Sequence, residues 1–121
     1  MNDQQRPAEA AKLLVLWTSG DREVALKVAF MYAKNAKQQY WWDVVRLVVW
    51  GPSAKLLADD EELQLYVKAM QEIGVELFAC KACADRYGVS EFLSGMGIEV
   101  IFMGEPLTTI LKNEAWKVIT F

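Results

Sequence analysis

Two cysteines separated by two residues are the part of this sequence best suited to chemistry. Cys80 and Cys83 are the only cysteines among 121 residues, and the chain contains no histidine. They follow a short apolar segment, 75–79, and begin a segment, 80–87, that is typical of a helix ending at Gly88. A thiol in the first turn of a helix lies near free backbone N–H groups, which favour its thiolate. The spacing therefore indicates a nucleophilic or redox-active sulfur.

This cysteine pair is compatible with more than one role. Two cysteines without any histidine cannot complete a tetrahedral zinc site within one chain, so we expect neither a metal nor another cofactor. A C-x-x-C pair also occurs in thiol–disulfide redox proteins, which is one alternative. Free cysteine is often buried as a small apolar residue, so a non-catalytic oligomeric binding protein with packed cysteines is another.

Composition excludes several classes of protein. The net charge of −3 and the pI near 5.0 argue against nucleic-acid binding, which normally requires a basic surface. The apolar stretch 44–50 contains Arg46 and is too short to span a membrane. With a polar segment at residues 1–7 and no secretory apolar core, we expect a cytoplasmic protein. The 54% hydrophobic content exceeds the usual share of about 45–50%, which favours a homo-oligomer with apolar residues buried between subunits.

Strand-like and helix-like segments alternate along the chain. Strands are predicted at 12–17, 44–50, 75–79, 98–102 and 116–121. Helices are predicted at 23–37, after a capping Ser53, from 59–62 to about 73, at 80–87, at 90–93 and at 106–113. Such alternation predicts an α/β fold, a three-layer α/β/α arrangement with a mostly parallel five-stranded sheet. Residues 12–121 would form this single domain, preceded by a loose polar tail at 1–11.

Ligands of parallel sheets bind beyond the carboxyl ends of the strands. Three strand-to-helix junctions fall there and place hydroxyls and free N–H groups near the cysteines. The candidate anion-binding residues are Thr18, Ser19, Gly20, Gly51, Ser53 and Lys81. Ordinary turn and cap chemistry is the alternative for the two serines. Neither a G-x-G-x-x-G fingerprint nor a phosphate-binding Walker loop is present, so no motif indicates a nucleotide.

Several segments in order give the chain a recognisable family pattern. They are the turn 18–21 after a buried first strand, Gly51-Pro52 after the second, the glycine–apolar strand–cysteine segment 72–80, and the helix end 86–89. Together they resemble the DsrE/DsrF-like sulfur-carrier family, which includes the Tus sulfur-relay subunits. The resemblance extends over nearly the whole chain, from Lys12 to Phe121.

The resemblance implies both an assembly and an activity. Members of the DsrE/DsrF-like family form dimers, trimers or hexamers of a three-layer α/β/α domain, and the resemblance implies the same for this chain. Active members carry a sulfane sulfur as a persulfide between a donor and an acceptor protein. The position that matches the carrier cysteine is Cys80, whereas Cys83 occurs only in some relatives, so its role stays open. We therefore predict a sulfur carrier or sulfurtransferase-like protein, with catalytic turnover left undecided.

Overall fold

A computed structural model describes residues 11–121, which form one parallel sheet with its helices. The tail predicted at 1–11 lies outside the described residues except for Ala11, which is buried and whose carbonyl accepts the Asp43 N–H at 2.8 Å. The strands are β1 (Lys12–Trp17), β2 (Val44–Val49), β3 (Glu76–Cys80), β4 (Glu99–Ile101) and β5 (Trp116–Thr120). Their order across the sheet is β4-β3-β2-β1-β5, and all four pairings are parallel.

The helices occupy the predicted connections. They are α1 (Arg22–Val24), a π-helical segment (Ala25–Ala29), α2 (Phe30–Gln38), α3 (Pro52–Asp59), α4 (Glu61–Glu72), α5 (Lys81–Tyr87), α6 (Ser90–Gly95) and α7 (Gly104–Leu111). Asp60 caps α4, because its carboxylate accepts the Leu63 N–H at 3.1 Å. The predicted α/β fold is confirmed.

One face of the sheet is covered by most of the helices. Alternate residues of the central strands, such as Val15 and Leu47, are fully buried there. They pack against apolar side chains from the π-helical segment and from α2 to α6. We call this the covered face.

The opposite face is covered by α7 and is called the thin face here. Its buried residues are Leu14, Val48, Cys80, Met103 and Ile110. Polar side chains also lie on it: the Arg46 guanidinium stands 4.3 Å from the Phe78 ring and 4.9 Å from the Trp116 ring. Its Nε donates to Glu76 at 2.8 Å. The two outer layers of the fold are therefore unequal.

One local prediction was wrong. Helix α3 is not capped by Ser53; it begins at Pro52 after Gly51, whose φ of +73° suits a residue without a Cβ. The helix predicted at 23–37 is present, and its residues 25–29 are π-helical. Within residues 11–121, no helix is both long and apolar enough to cross a bilayer.

Candidate functional site

Cys80 lies at the carboxyl edge of the sheet, where β3 ends and α5 begins. It is the last residue of β3, pairs in register with Ile101, and has extended backbone angles of −71° and 115°. It is also the N-cap of α5, because its Sγ accepts the backbone N–H of Cys83 at 3.4 Å. The sequence analysis predicted that Cys80 is the first residue of the helix. In the structure it is instead the last residue of β3 and the N-cap of α5.

The two cysteine sulfurs face each other. The Sγ atoms of Cys80 and Cys83 are 2.9 Å apart and share a hydrogen bond, and both thiols are free. Cys80 is only 4% exposed, whereas Cys83 is half-buried. A small reagent would therefore reach Cys83 more readily than Cys80.

Burial raises the pKa of the Cys80 thiol above its ordinary value, and the adjacent Cys83 thiol adds to this effect. The backbone N–H groups of Cys83 and Ala82 act in the opposite direction, as the first turn of a helix predicts, but they are outweighed. In the reduced pair, Cys80 is thus a protonated thiol at neutral pH. Burial thus opposes the thiolate that helix geometry alone favours.

Apolar side chains surround the sulfurs. Cys80 belongs to the buried cluster of the thin face with Met103, and Cys83, Trp50 and Ile101 pack against that cluster. Trp17, which ends β1, lies in the covered face instead and stacks edge-on against Phe30. Of Trp17, which ends β1, and Trp50, which follows β2, only Trp50 packs against the cluster that contains Cys80.

Lys81 does not lend its charge to the thiols through any described contact. Its Nζ donates to Asp85 at 2.9 Å and stands 5.4 Å from the Phe102 ring centroid. Hydrogen bonds from Ser90 and Lys81 lower the pKa of Asp85. Lys81 thus lies beside the site, but its ammonium is already paired with the Asp85 carboxylate.

The predicted anion-binding residues of the first junction hold the chain in place. Thr18 Oγ1 donates to the Phe121 carbonyl at 3.0 Å, which ties the junction to the end of the chain. Ser19 Oγ accepts the Asp21 N–H at 3.0 Å. Gly20 lies against Pro52, since a Cβ built on it would stand 3.3 Å from the proline Cβ. Their anion-binding role stays a prediction.

The second junction joins neighbouring strand ends. The Ser53 hydroxyl is fully buried, donates to the Trp17 carbonyl at 2.6 Å and accepts the Trp50 N–H at 3.0 Å. Because β2 lies between β1 and β3, this junction with Gly51 is adjacent to the end of β3 in the sheet. Ser53 therefore positions the edge on which Cys80 lies, and its own oxygen is already engaged.

Sequence reasoning missed the apolar wall around the sulfurs. Ile101 and Met103 approach Cys80 because β4 pairs with β3, and no local pattern indicates that pairing. The signal that was available is the apolar run at 100–103, which begins within the fourth predicted strand. Among the described residues, no three metal-ligating side chains cluster closely enough to hold an ion.

One comparison with known proteins identifies a family. The model of the DsrE/DsrF-like family matches residues 11–121. No curated protein matches the chain.

Two solved structures share the architecture. The conserved protein of unknown function BT1422 from Bacteroides thetaiotaomicron is 33% identical, with a TM-score of 0.89 over 94% of this chain and 97% of its own. The ychN protein from E. coli is 18% identical, with a TM-score of 0.69 over 91% of this chain and 98% of its own. At 18% identity, the similarity to the ychN protein shows only that the two proteins share a fold.

Proposed function

Because this chain belongs to the DsrE/DsrF-like family, we propose that it is a sulfur carrier that holds a sulfane sulfur as a persulfide on Cys80. The observation that carries the proposal is the pair of free thiols 2.9 Å apart at the end of β3. The resemblance assigns the carrier role to Cys80, and the geometry gives it a second sulfur within reach.

Loading requires Cys80 to lose its proton. The Cys80 thiolate attacks the sulfane sulfur of a donor persulfide; the bond to Cys80 forms, the donor S–S bond breaks, and the donor leaves as a thiolate. The backbone N–H of Cys83 already points at the Cys80 sulfur and stabilises the developing anion. Because burial raises the pKa of Cys80, loading is expected to accelerate as the pH rises toward that pKa.

Unloading has two routes that differ in oxidation state. An acceptor thiolate attacks the outer sulfur, takes it as a new persulfide and leaves Cys80 as a thiolate. Alternatively Cys83, as its thiolate, attacks the inner sulfur of the Cys80 persulfide; an intramolecular disulfide forms and hydrosulfide leaves. The second route leaves the protein oxidised, so a dithiol reductant must restore it.

The sulfur–sulfur contact also favours a second candidate, a thiol–disulfide redox protein. Two sulfurs at 2.9 Å need only a small movement to reach the covalent distance of about 2.05 Å. In this case an oxidising partner, and not a sulfur donor, would react with the pair. The raised pKa of Cys80 slows its attack on such a partner at neutral pH.

Intact mass after incubation with inorganic polysulfide tests both candidates. The wild type is compared with Cys80→Ser and Cys83→Ser, the matched pair of variants. A gain of one sulfur in Cys83→Ser that is absent in Cys80→Ser supports the carrier. A loss of two hydrogens in the wild type alone, with no sulfur gained by Cys83→Ser, supports the redox protein. If no species changes mass and both thiols resist iodoacetamide in the folded state, both candidates are wrong and the cysteines are packing residues.

A further inference from the structure

An apolar groove lies between α2 and α4 on the side of the covered face, whereas Cys80 belongs to the thin face. Its volume is about 530 Å³, and sites for small molecules measure about 300–1,000 Å³. The apolar side chains of its lining are Leu26, Phe30, Met31, Tyr66, Met70 and Ile73. Phe30 and Met70 are buried at 2% exposure, whereas Met31 and Tyr66 remain open to solvent at 50% and 44%. The groove is thus an apolar site that a small molecule could cover.

The backbone beside the groove is irregular. Leu26 and Lys27, at one end of the lining, belong to the π-helical segment Ala25–Ala29, which interrupts the helix between α1 and α2. Single π-helical turns within α-helices are rare and occur frequently at functional sites. This irregularity points to a binding role independently of the shape of the groove.

The two helices that form the groove run in the same direction and in step. Each of them leads toward the start of the next strand of the parallel sheet. The ring of Phe30 lies 6.4 Å from that of Tyr66, and farther along the pair a Cβ built on Gly74 would stand 3.0 Å from Lys37 Cε. Position along the groove therefore follows residue number on both helices.

Polar side chains gather at the carboxyl end of the groove, on both walls: Lys34, Asn35 and Gln38 from α2, and Glu72 from α4. Within residues 11–121, neither the Lys34 ammonium nor the Glu72 carboxylate takes part in an ion pair. At the amino end, Lys27 already pairs with Glu23 at 3.4 Å. A cation and an anion without partners thus stand on opposite walls at one end of the apolar lining.

We infer that the groove binds an aromatic α-amino acid. Lys34 binds the carboxylate of this ligand on the α2 wall, and Glu72 binds its ammonium on the α4 wall. The aromatic side chain extends toward the amino end of the groove. There Tyr66 provides a half-exposed ring for stacking, and Met31 and Met70 provide thioethers, which make favourable contacts with aromatic rings.

The charges of the groove select this occupant among apolar molecules of similar size. An aromatic carboxylate would be attracted by Lys34 but would place no cation opposite Glu72. An aromatic amine would match Glu72 but would leave Lys34 without a partner. The amino terminus of a peptide carries its ammonium without a neighbouring carboxylate. A molecule with both charges at one end of an apolar body complements both walls.

Isothermal titration calorimetry of the full chain with L-tryptophan tests the inference. Tryptophanamide lacks the negative charge of L-tryptophan, and N-acetyl-L-tryptophan lacks the positive charge, whereas both keep the indole. L-Tryptophan should bind with one molecule per chain. Each analogue should bind about fivefold more weakly, because each loses one partly exposed ion pair.

Matched variants assign the two charges to the two walls. Lys34→Met should weaken the binding of L-tryptophan about fivefold and remove its advantage over tryptophanamide. Glu72→Gln should instead remove the advantage over N-acetyl-L-tryptophan. Lys68→Met, on α4 but outside the groove lining, is the control and should bind L-tryptophan like the wild type. All three side chains are exposed, so circular dichroism should show an unchanged fold.

Three results would overturn the inference. The first is that L-tryptophan does not bind at millimolar concentration. The second is that all three compounds bind with equal affinity, because the groove would then accept any indole. The third is that Lys34→Met and Glu72→Gln leave the binding of L-tryptophan unchanged, because the ligand would then lie elsewhere on the molecule.

Discussion

The two faces of the sheet are built from the same strands but carry different chemistry. On the covered face, β2 presents only valine and leucine, and every such residue is fully buried. On the thin face, the same strand presents Arg46, and β3 presents Glu76, Phe78 and Cys80. Several helices cover one side of the sheet, whereas on the other side a single helix leaves the Arg46 and Glu76 side chains partly exposed. The charged side chains of the central strands and the buried Cys80 thus share one face of the sheet.

Truncating one leucine on each face should expose the difference most strongly. Leu47 is fully buried on the covered face, so Leu47→Ala is expected to lower the free energy of unfolding by about 3 kcal/mol. Leu16 is half-buried on the thin face, so Leu16→Ala is expected to lower the free energy of unfolding by about 1 kcal/mol. Urea unfolding of both variants measures this, and equal losses would show that the faces contribute alike.

Removing the Arg46 cation from the thin face should have a smaller effect on stability. Arg46→Met breaks the ion pair with Glu76 and both ring contacts, so we expect the free energy of unfolding to fall by about 1 kcal/mol. The matched control is Lys55→Met on α3, whose pair with Asp59 is exposed on both sides and should contribute almost nothing. Urea unfolding in low and high salt separates the two. If Arg46→Met lowers the free energy of unfolding no more than Lys55→Met does, the Arg46 guanidinium does not contribute to the stability of the thin face.

The smallest expected effect is the pH dependence that comes from Cys80. Its pKa in the folded protein is raised above the ordinary 9.0, so the unfolded chain releases this proton first as the pH rises. The unfolded state then binds fewer protons, and the free energy of unfolding declines above about pH 9. Urea midpoints from pH 7 to 10 should show this decline in the wild type and a shallower one in Cys80→Ala. Identical slopes would contradict a buried, protonated thiol.

The sheet was predictable from sequence because its central strands carry continuous apolar runs. Leu13 to Leu16 show the pattern of a strand buried on both faces, and the alternation with helices predicts parallel pairing. Strand order was not predictable, since nothing in the local pattern of β5 indicates that it pairs with β1. The unequal number of helices on the two faces follows from that strand order, so it could not be predicted from the sequence either.

The cysteine pair was predictable, but its surroundings were not. The spacing of Cys80 and Cys83 fixes them one helical turn apart, which is a local property. The pKa of Cys80 depends on burial among residues distant in sequence, and this reverses the direction that helix geometry alone suggests. Ser53 shows the same limit: its partner, the Trp17 carbonyl, is 36 residues away, so its hydroxyl was interpreted as a cap.

The strand order also has a consequence for synthesis on the ribosome. Strands β2, β3 and β4 extend the sheet in one direction from β1, whereas β5 pairs on its other side. Until residues 116–120 emerge, the other edge of β1 stays unpaired, and it carries the apolar run Leu13–Leu16. An open, apolar strand edge is a template for aggregation. A nascent chain that stalls before residue 116 is therefore exposed to aggregation even though most of its covered face can already form.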